Sequence, residues 1–291
     1  MHRLNRMSRA VRGALTVTAA CAAGISFAQG DAPETLETPT VEVIGATPVP
    51  GLAMPKDEVP ANIQIETGER MEQQQSRNLP EFLEESVPSV HVQEIQGNPY
   101  QPNLTYRGFL SSPLLGTPQG LSVYQDGVRV NEPFGDIVNY DLLPQNAIST
   151  MTLVPGSNPI FGLNTLGGAI DIRTKSGADH PGGVATLSGG SWGRAQGDLS
   201  FGGYDGNTDY FFAVNYFEED GWRDFSPTEV GQLFGKIGWD NGTTDVDLAI
   251  TLADTDLTGN GVTPQSFLAQ SWESIYTCLL YTSPSPRDSL H

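Results

Sequence analysis

The chain has 291 residues, a net charge of −19 and a pI near 4.3. Gly (33) and Pro (21) exceed their usual shares of ~7% and ~5%, and with only 17% charged residues the acidity reflects few bases (15) more than many acids (34). Such a composition argues against an overall nucleic-acid binder, which presents basic surface, and against a helical bundle, which tolerates little Gly and Pro. It also argues against disorder throughout, because 38% hydrophobic and 9% aromatic content supports a core or a membrane face.

Residues 1–28 read as an export signal. Arg3, Arg6, Arg9 and Arg12 make a basic start without acids, and Ala14 to Phe27 is apolar but too short for a stop-transfer helix. Ser26-Phe27-Ala28 then sets small residues at the cleavage positions before Gln29. A short anchor helix is one alternative; a lipoprotein cleaved before Cys21 is another, although Thr18-Ala19-Ala20 lacks the customary leucine. Cleavage removes four arginines and no acid, so −19 becomes −23. Of two cysteines, Cys21 leaves with the signal and Cys278 lies in an aberrant tail, so no disulfide framework is expected. No run of about 18 apolar residues follows, and any membrane insertion must proceed by β-strands.

Residues 29–58 are poor in aromatics and rich in Pro, Thr, Glu and Ala, as a flexible arm would be, with one β-favouring run, Thr40-Val41-Glu42-Val43-Ile44-Gly45. Residues 59–178 read as a compact α+β zone. Ile63 and Ile65 alternate with polar residues, and Asn78 is placed to cap a short helix from Leu79 to Glu85 with Pro80 in its first turn and Phe82 and Leu83 facing a core. Short strands are expected at Val90–Glu94, Asn103–Phe109, Leu121–Gln125, Ser149–Val154 and Ala169–Thr174, with Asp126-Gly127 as a hairpin signal.

Residues 183–277 change period. Ala195, Gly197, Leu199 and Phe201 alternate with Gln196, Asp198 and Ser200; Leu233, Gly235, Ile237 and Trp239 alternate with polar residues; Val246, Leu248, Ile250 and Leu252 do the same, and Tyr210, Phe212, Val214 and Tyr216 form a fourth stripe. Asp205-Gly206-Asn207 and Asn241-Gly242 are tight connections, whereas 218–231 is long and charged. Short turns at one end, long loops at the other and aromatics near strand ends mark a transmembrane β-barrel, although a soluble sandwich shares the period. At roughly 20 residues per strand and connection, about five strands are expected. Residues 278–291, CLLYTSPSPRDSLH, break the pattern and read as non-native read-through, a disordered natural end being the alternative. The chain is therefore treated as truncated near Thr277.

Catalytic equipment is sparse. His91 and His180 stand 89 positions apart, outside any metal-ligand spacing, and read as surface or strand histidines. No P-loop or G-x-S-x-G occurs, and Lys175-Ser176-Gly177 lacks a partner S-x-x-K. Asp254-Thr255-Asp256-Leu257-Thr258-Gly259 starts like a calcium loop, but its twelfth position is Gln265, and Glu218-Glu219-Asp220 reads as a solvated loop. No catalytic residue, metal ligand or cofactor is expected.

One ordered series carries more. Leu79-Pro80-Glu81-Phe82-Leu83 leads to Val87-Pro88-Ser89-Val90, Tyr106-Arg107-Gly108-Phe109, Tyr124-Gln125-Asp126-Gly127-Val128, Leu142-Leu143-Pro144 and finally the stretch from Phe161 through Gly167-Gly168-Ala169-Ile170-Asp171-Ile172-Arg173-Thr174-Lys175. After an export signal and before barrel-type strands, this series resembles the N-terminal part of TonB-dependent outer-membrane receptors over residues 38–277. The resemblance implies an α+β plug domain at 59–178 followed by the first strands, 183–277, of a transmembrane antiparallel β-barrel that is 22-stranded in the complete family. It implies a TonB box at Thr40, Val41, Glu42, Val43, Ile44 and Gly45, which would pair as an added strand with TonB of the inner-membrane energising complex. It further implies active import of a scarce ligand, most often a ferric siderophore, by a protein embedded in outer-membrane lipid with plug and arm toward the periplasm. Asn98, Tyr100, Gln101, Ser111 and Ser112 are the expected plug-apex ligand contacts, and Arg107 and Arg173 the expected braces to the barrel wall, a salt bridge inside the plug being the alternative. Pro155-Gly156 stands where the family usually has Arg-Gly, so one customary bracing arginine is missing. About thirty residues between Gln29 and the plug leave no room for a periplasmic signalling domain, since domains need at least ~50. A passive porin or adhesin barrel with an N-terminal passenger and a secreted β-rich hydrolase are the alternative classes.

Overall fold

The computed structural model describes residues 61–269 and 271–275. The expected signal, the 40–45 run and the 278–291 tail lie outside the described residues.

The N-terminal module is built from short elements. Strand β1 (Gln64–Thr67) runs directly into helix α1 (Gly68–Gln74), whose first turn is capped by the Thr67 hydroxyl accepting from Arg70 N. Helix α2 (Leu79–Ser86) begins as its sequence requires: Asn78 Oδ1 accepts from Glu81 N at 2.9 Å and Pro80 occupies the first turn. Strands β2 (Val90–Gln93), β3 (Asn103–Tyr106) and β4 (Phe109–Ser111) form an antiparallel meander. The single strand expected over 103–109 is thus two, because Arg107 and Gly108 both take positive φ (49° and 86°) and reverse the chain as a two-residue hairpin turn.

Strands β5 (Leu121–Gln125), β6 (Val128–Arg129), β7 (Ile148–Pro155) and β8 (Gly168–Thr174) join β1 in a mixed sheet of order β1-β7-β8-β5-β6, in which β5 and β8 are parallel. Short 3-10 turns at Tyr140–Leu142 and Gln145–Ala147 precede β7. One face of the sheet (Leu121, Val123, Met151, Leu153, Ile170, Ile172) packs on Met71, Leu79, Phe82 and Leu83 of the helices and on Leu104 and Tyr106, making the main core. The other face carries Tyr124, Val154 and Ala169 with Ile63 and Phe161.

After β8 the chain crosses into a second sheet of five long antiparallel strands in sequence order: β9 (Gly182–Gly189), β10 (Ala195–Asp205), β11 (Thr208–Glu219), β12 (Thr228–Asp240) and β13 (Asp245–Leu257). The loop expected at 218–231 shrinks to 220–227, because the strands continue through the charged residues at their ends and pair Glu218 with Glu229. Turns after β10 and β12 lie at one end of the sheet; the connections after β9 and β11 and the segment after β13 lie at the other.

The two faces of this sheet differ in kind. Leu199, Phe201, Tyr210, Phe212, Ile237, Trp239, Val246, Leu248, Ile250 and Leu252 point outward and are exposed. Inward positions mix polar and apolar side chains, with Ser200, Asn215, Gln232 and Lys236 beside Phe211, Ala213, Phe217, Val230 and Phe234. An apolar outside and a mixed inside is the pattern of a lipid-facing barrel wall, the inverse of a soluble sandwich. The sheet is open, with β9 and β13 as its edges.

Candidate functional site

The module lies against the inward face of the long-stranded sheet, and three groups of contacts hold it there. In the first, Ala147 at the end of its 3-10 turn packs into Phe211, Ala213 and Phe234. Beside it Asn146 Nδ2 donates to the Val214 carbonyl at 2.8 Å. In the second, Gln232 Nε2 donates to the Asp141 carbonyl at 2.6 Å, and the Thr255 hydroxyl donates to Asp141 Oδ2 at 3.4 Å. Asp141 Oδ1 is buried without a hydrogen bond, and burial pushes this carboxyl above its usual range. The third group lies at the loop end, where Asn98 Nδ2 donates to the Thr228 hydroxyl at 2.8 Å and the Tyr100 ring meets Phe217 with centroids 5.0 Å apart. Where the module leaves for the wall, Gly177 N donates to Asp209 Oδ1 at 2.8 Å. A Cβ on Gly177 would sit 2.2 Å from the carbonyl oxygens of Gly203 and Tyr210, so only glycine lets the backbone pass this close.

The expected plug-apex and bracing residues all lie within the described residues. Asn98, Tyr100, Ser111 and Ser112 are buried. Asn98 Oδ1 accepts from Tyr100 N at 2.9 Å, shaping the segment between β2 and β3. Ser111 accepts from the Tyr140 hydroxyl at 2.7 Å, and Ser112 N donates to Gln119 Oε1 at 2.9 Å. The Asn98, Ser111 and Ser112 side chains are engaged in hydrogen bonds and the Tyr100 ring packs on Phe217; Gln101 alone of the five is partly exposed. The sequence marked them as polar and aromatic in a loop, which does not distinguish a solvent-facing side chain from a buried one.

The two arginines are placed away from the five-stranded wall. Arg107 sits exposed in the β3–β4 turn with its guanidinium 5.0 Å from the Tyr106 ring, and among the described residues it has no ion pair. Arg173 is half exposed on β8 and lies 3.6 Å from Asp171, the pairing within the module that the sequence left as the alternative. Asp171 is nearly sealed from solvent. Burial, reinforced by the nearby Asp126 carboxylate and opposed by Arg173, pushes its pKa up to about 6. The residues that do span module and wall, Asn98, Tyr100, Asp141, Asn146 and Gln232 among them, include two expected site residues, Asn98 and Tyr100. Gln232 was legible only as a polar member of an alternating strand, and Asn146 had no signal. Among the described residues, no three His, Cys, Asp or Glu side chains converge as a metal site.

Comparison with known proteins accords with this geometry. Residues 55–169 match the family described as the TonB-dependent receptor plug domain. The vitamin B12 transporter BtuB of Vibrio vulnificus is 25% identical over 182 residues, which cover 62% of this chain and 28% of that protein. The chain therefore spans little more than a quarter of that relative's length. Among solved structures, the ferric-catecholate import receptor Fiu of E. coli K12 in its open form superposes with a TM-score of 0.59 at 18% identity, covering 78% of this chain and 32% of that one. The ferric citrate transporter FecA in its unliganded form gives 0.60 at 16% identity, covering 75% and 35%. At these identities the structural likeness speaks for the fold, and the relatives are transporters and receptors rather than enzymes. With residues 55–169 matched to the plug-domain family and the module docked on strands of barrel type, this chain is similar to the N-terminal part of the TonB-dependent receptors, with a plug-like module and five wall strands.

Proposed function

We propose that the protein containing this chain is an active importer of the bacterial outer membrane, which takes up a ferric siderophore with energy relayed through TonB. The observation that carries the reading is a plug docked by buried polar and aromatic contacts on the inner face of a sheet whose outer face is apolar. A porin needs an open lumen, whereas here the plug-like module lies against the inward face of the wall. The loop end faces outward and the turn end faces the periplasm, following the rule that barrel turns are short on the periplasmic side. Thr40 to Gly45 engages TonB by strand addition, for which a short β-prone run on an arm suffices. Gln101 contacts ligand, while Asn98 and Tyr100 hold the apex in place. Siderophore receptors among the similar structures support the ligand class, and the vitamin B12 transporter among the relatives makes cobalamin the competing ligand.

The test is energised uptake by the full-length protein in cells, with a panel of ferric siderophores and with cobalamin, before and after deletion of residues 40–45. Uptake of a ferric siderophore that vanishes on deletion is the expected result. Uptake unchanged by the deletion overturns the TonB reading, and uptake of cobalamin alone overturns the siderophore assignment.

A further inference from the structure

At the loop end three chain segments converge on Arg223. They are the 220–227 connection, the segment after β13, and residues 96–98 of the plug. Arg223 is only 8% exposed, yet among the described residues no carboxylate pairs with it. Its Nη1 donates to the Gly261 carbonyl at 2.7 Å, and its Nη2 to the Thr263 hydroxyl and, at 3.4 Å, to the Ser274 carbonyl. Nε has no partner, and the guanidinium lies 5.6 Å from the Trp222 ring, which stacks on Trp272 with centroids 5.5 Å apart. Asp224 N donates to the Glu273 carbonyl at 2.9 Å, and Asn260 Nδ2 to the carbonyls of Asp224 and Phe225, so the two wall segments are sewn together. The plug apex is drawn into the same junction. Gly261 N donates to the Gln96 carbonyl at 2.9 Å, and a Cβ on Gly97 would lie 3.2 Å from Arg223 Nη1.

A guanidinium buried without a counter-ion is unfavourable unless its donors are used; here Nη1 and Nη2 are used on backbone and hydroxyl oxygens of a different segment, while Nε is left over. A rigid planar fork joins such acceptors in fixed geometry; the single point charge of lysine does not. We propose that Arg223 is a positioning residue that clamps the two wall segments over Gln96–Asn98 and keeps the plug apex covered until the clamp releases. That the covered end is the ligand-facing end rests on the receptor reading above. The clamp itself does not, and it is tested without ligand or transport.

The test uses the full-length protein in detergent, with any other cysteine replaced by Ser and the pair Gln96→Cys and Gly259→Cys introduced. A Cβ on Gly259 lies 3.5 Å from the Gln96 Cβ, within disulfide range. With Arg223 present the pair is expected to cross-link readily under mild oxidant. Arg223→Ala should slow this by about tenfold, and Arg223→Lys should restore only part of the rate. In a separate background, Asn98→Cys should label with maleimide about tenfold faster once Arg223 is replaced by Ala. Should Arg223→Ala fail to fold, Thr263→Val keeps the guanidinium, removes one acceptor and should slow cross-linking by about threefold. Three results overturn the proposal: no cross-link with Arg223 present, cross-linking and labelling unchanged in a folded Arg223→Ala protein, or unchanged cross-linking in both Arg223→Lys and Thr263→Val.

Discussion

Gln232 on wall strand β12 donates through Nε2 to the main-chain carbonyl of Asp141, 91 residues earlier in the plug, at 2.6 Å. The same amide approaches the Leu143 carbonyl at 3.4 Å. One side chain thus satisfies carbonyls of a plug turn that is closed off from water by the wall.

Gln232→Leu keeps the volume and removes the donor. Leaving a buried carbonyl unpaired costs about 1–3 kcal/mol. Amide hydrogen exchange over residues 140–147 is expected to accelerate by roughly tenfold, which corresponds to 1.4 kcal/mol, while exchange in β11 stays slow. Unchanged protection over 140–147 would show that this bond does not hold the plug.

Phe234→Ala should loosen the same docking face through packing. Phe234 is fully buried, stands 6.4 Å from the Phe211 ring and covers Ala147 of the plug. Truncation leaves a cavity, with a cost of about 3–5 kcal/mol for a phenylalanine. Pulse proteolysis in urea should find the plug released at a clearly lower denaturant concentration than in the parent protein. A loss no greater than that of an exposed Leu248→Ala control would contradict this.

The plug should be more stable with a neutral side chain at position 171, and only above mildly acidic pH. The Asp171 pKa is raised from 3.8 to about 6 chiefly by burial. Because the folded value lies above the unfolded one, ionisation is disfavoured in the fold. The resulting destabilisation is fully present above about pH 6 and disappears as pH falls through the folded pKa toward the unfolded one. Two units correspond to on the order of 3 kcal/mol. Asp171→Asn should therefore raise the urea midpoint of the plug at about pH 8 and change it little at about pH 4, followed by a dye on a unique plug cysteine. An equal shift at both pH values would rule out titration as the cause.

Asn78→Ala should destabilise helix α2 and its neighbour together. The Asn78 side chain caps the helix through Oδ1 and also donates through Nδ2 to the Pro99 carbonyl at 2.6 Å. A lost cap costs about 1 kcal/mol, and the unpaired Pro99 carbonyl adds to it. Exchange should speed up in residues 79–86 and in 98–101; an effect confined to the helix would deny the second role.

Much of the fold was legible because its signals are local. Asn78 and Pro80 announce α2, and Asp126-Gly127, with positive φ at both residues, announces the β5–β6 turn. Helix α1 was missed because Gly68 at its start disguises the Thr67 cap; Gly68 is there because a Cβ would meet the Ile148 carbonyl at 2.0 Å. The split of 103–109 hinged on positive φ at Arg107, a conformation that arginine does not advertise.

By itself the sequence determined most of the strands, helix α2 and which face of each long strand is apolar. Those properties follow from period-two alternation, caps and turn residues, each of which acts within a few positions. The plug reading of the motifs from Leu79 to Lys175 rested instead on their resemblance to a known family. Only the tertiary structure decided that Asn98, Tyr100, Ser111 and Ser112 point inward, that Arg173 pairs with Asp171, and that Asn146, Gln232 and Arg223 join elements distant in sequence. A polar side chain is compatible with water or with a buried partner, and the choice between them rests on what the folded chain brings within hydrogen-bond reach.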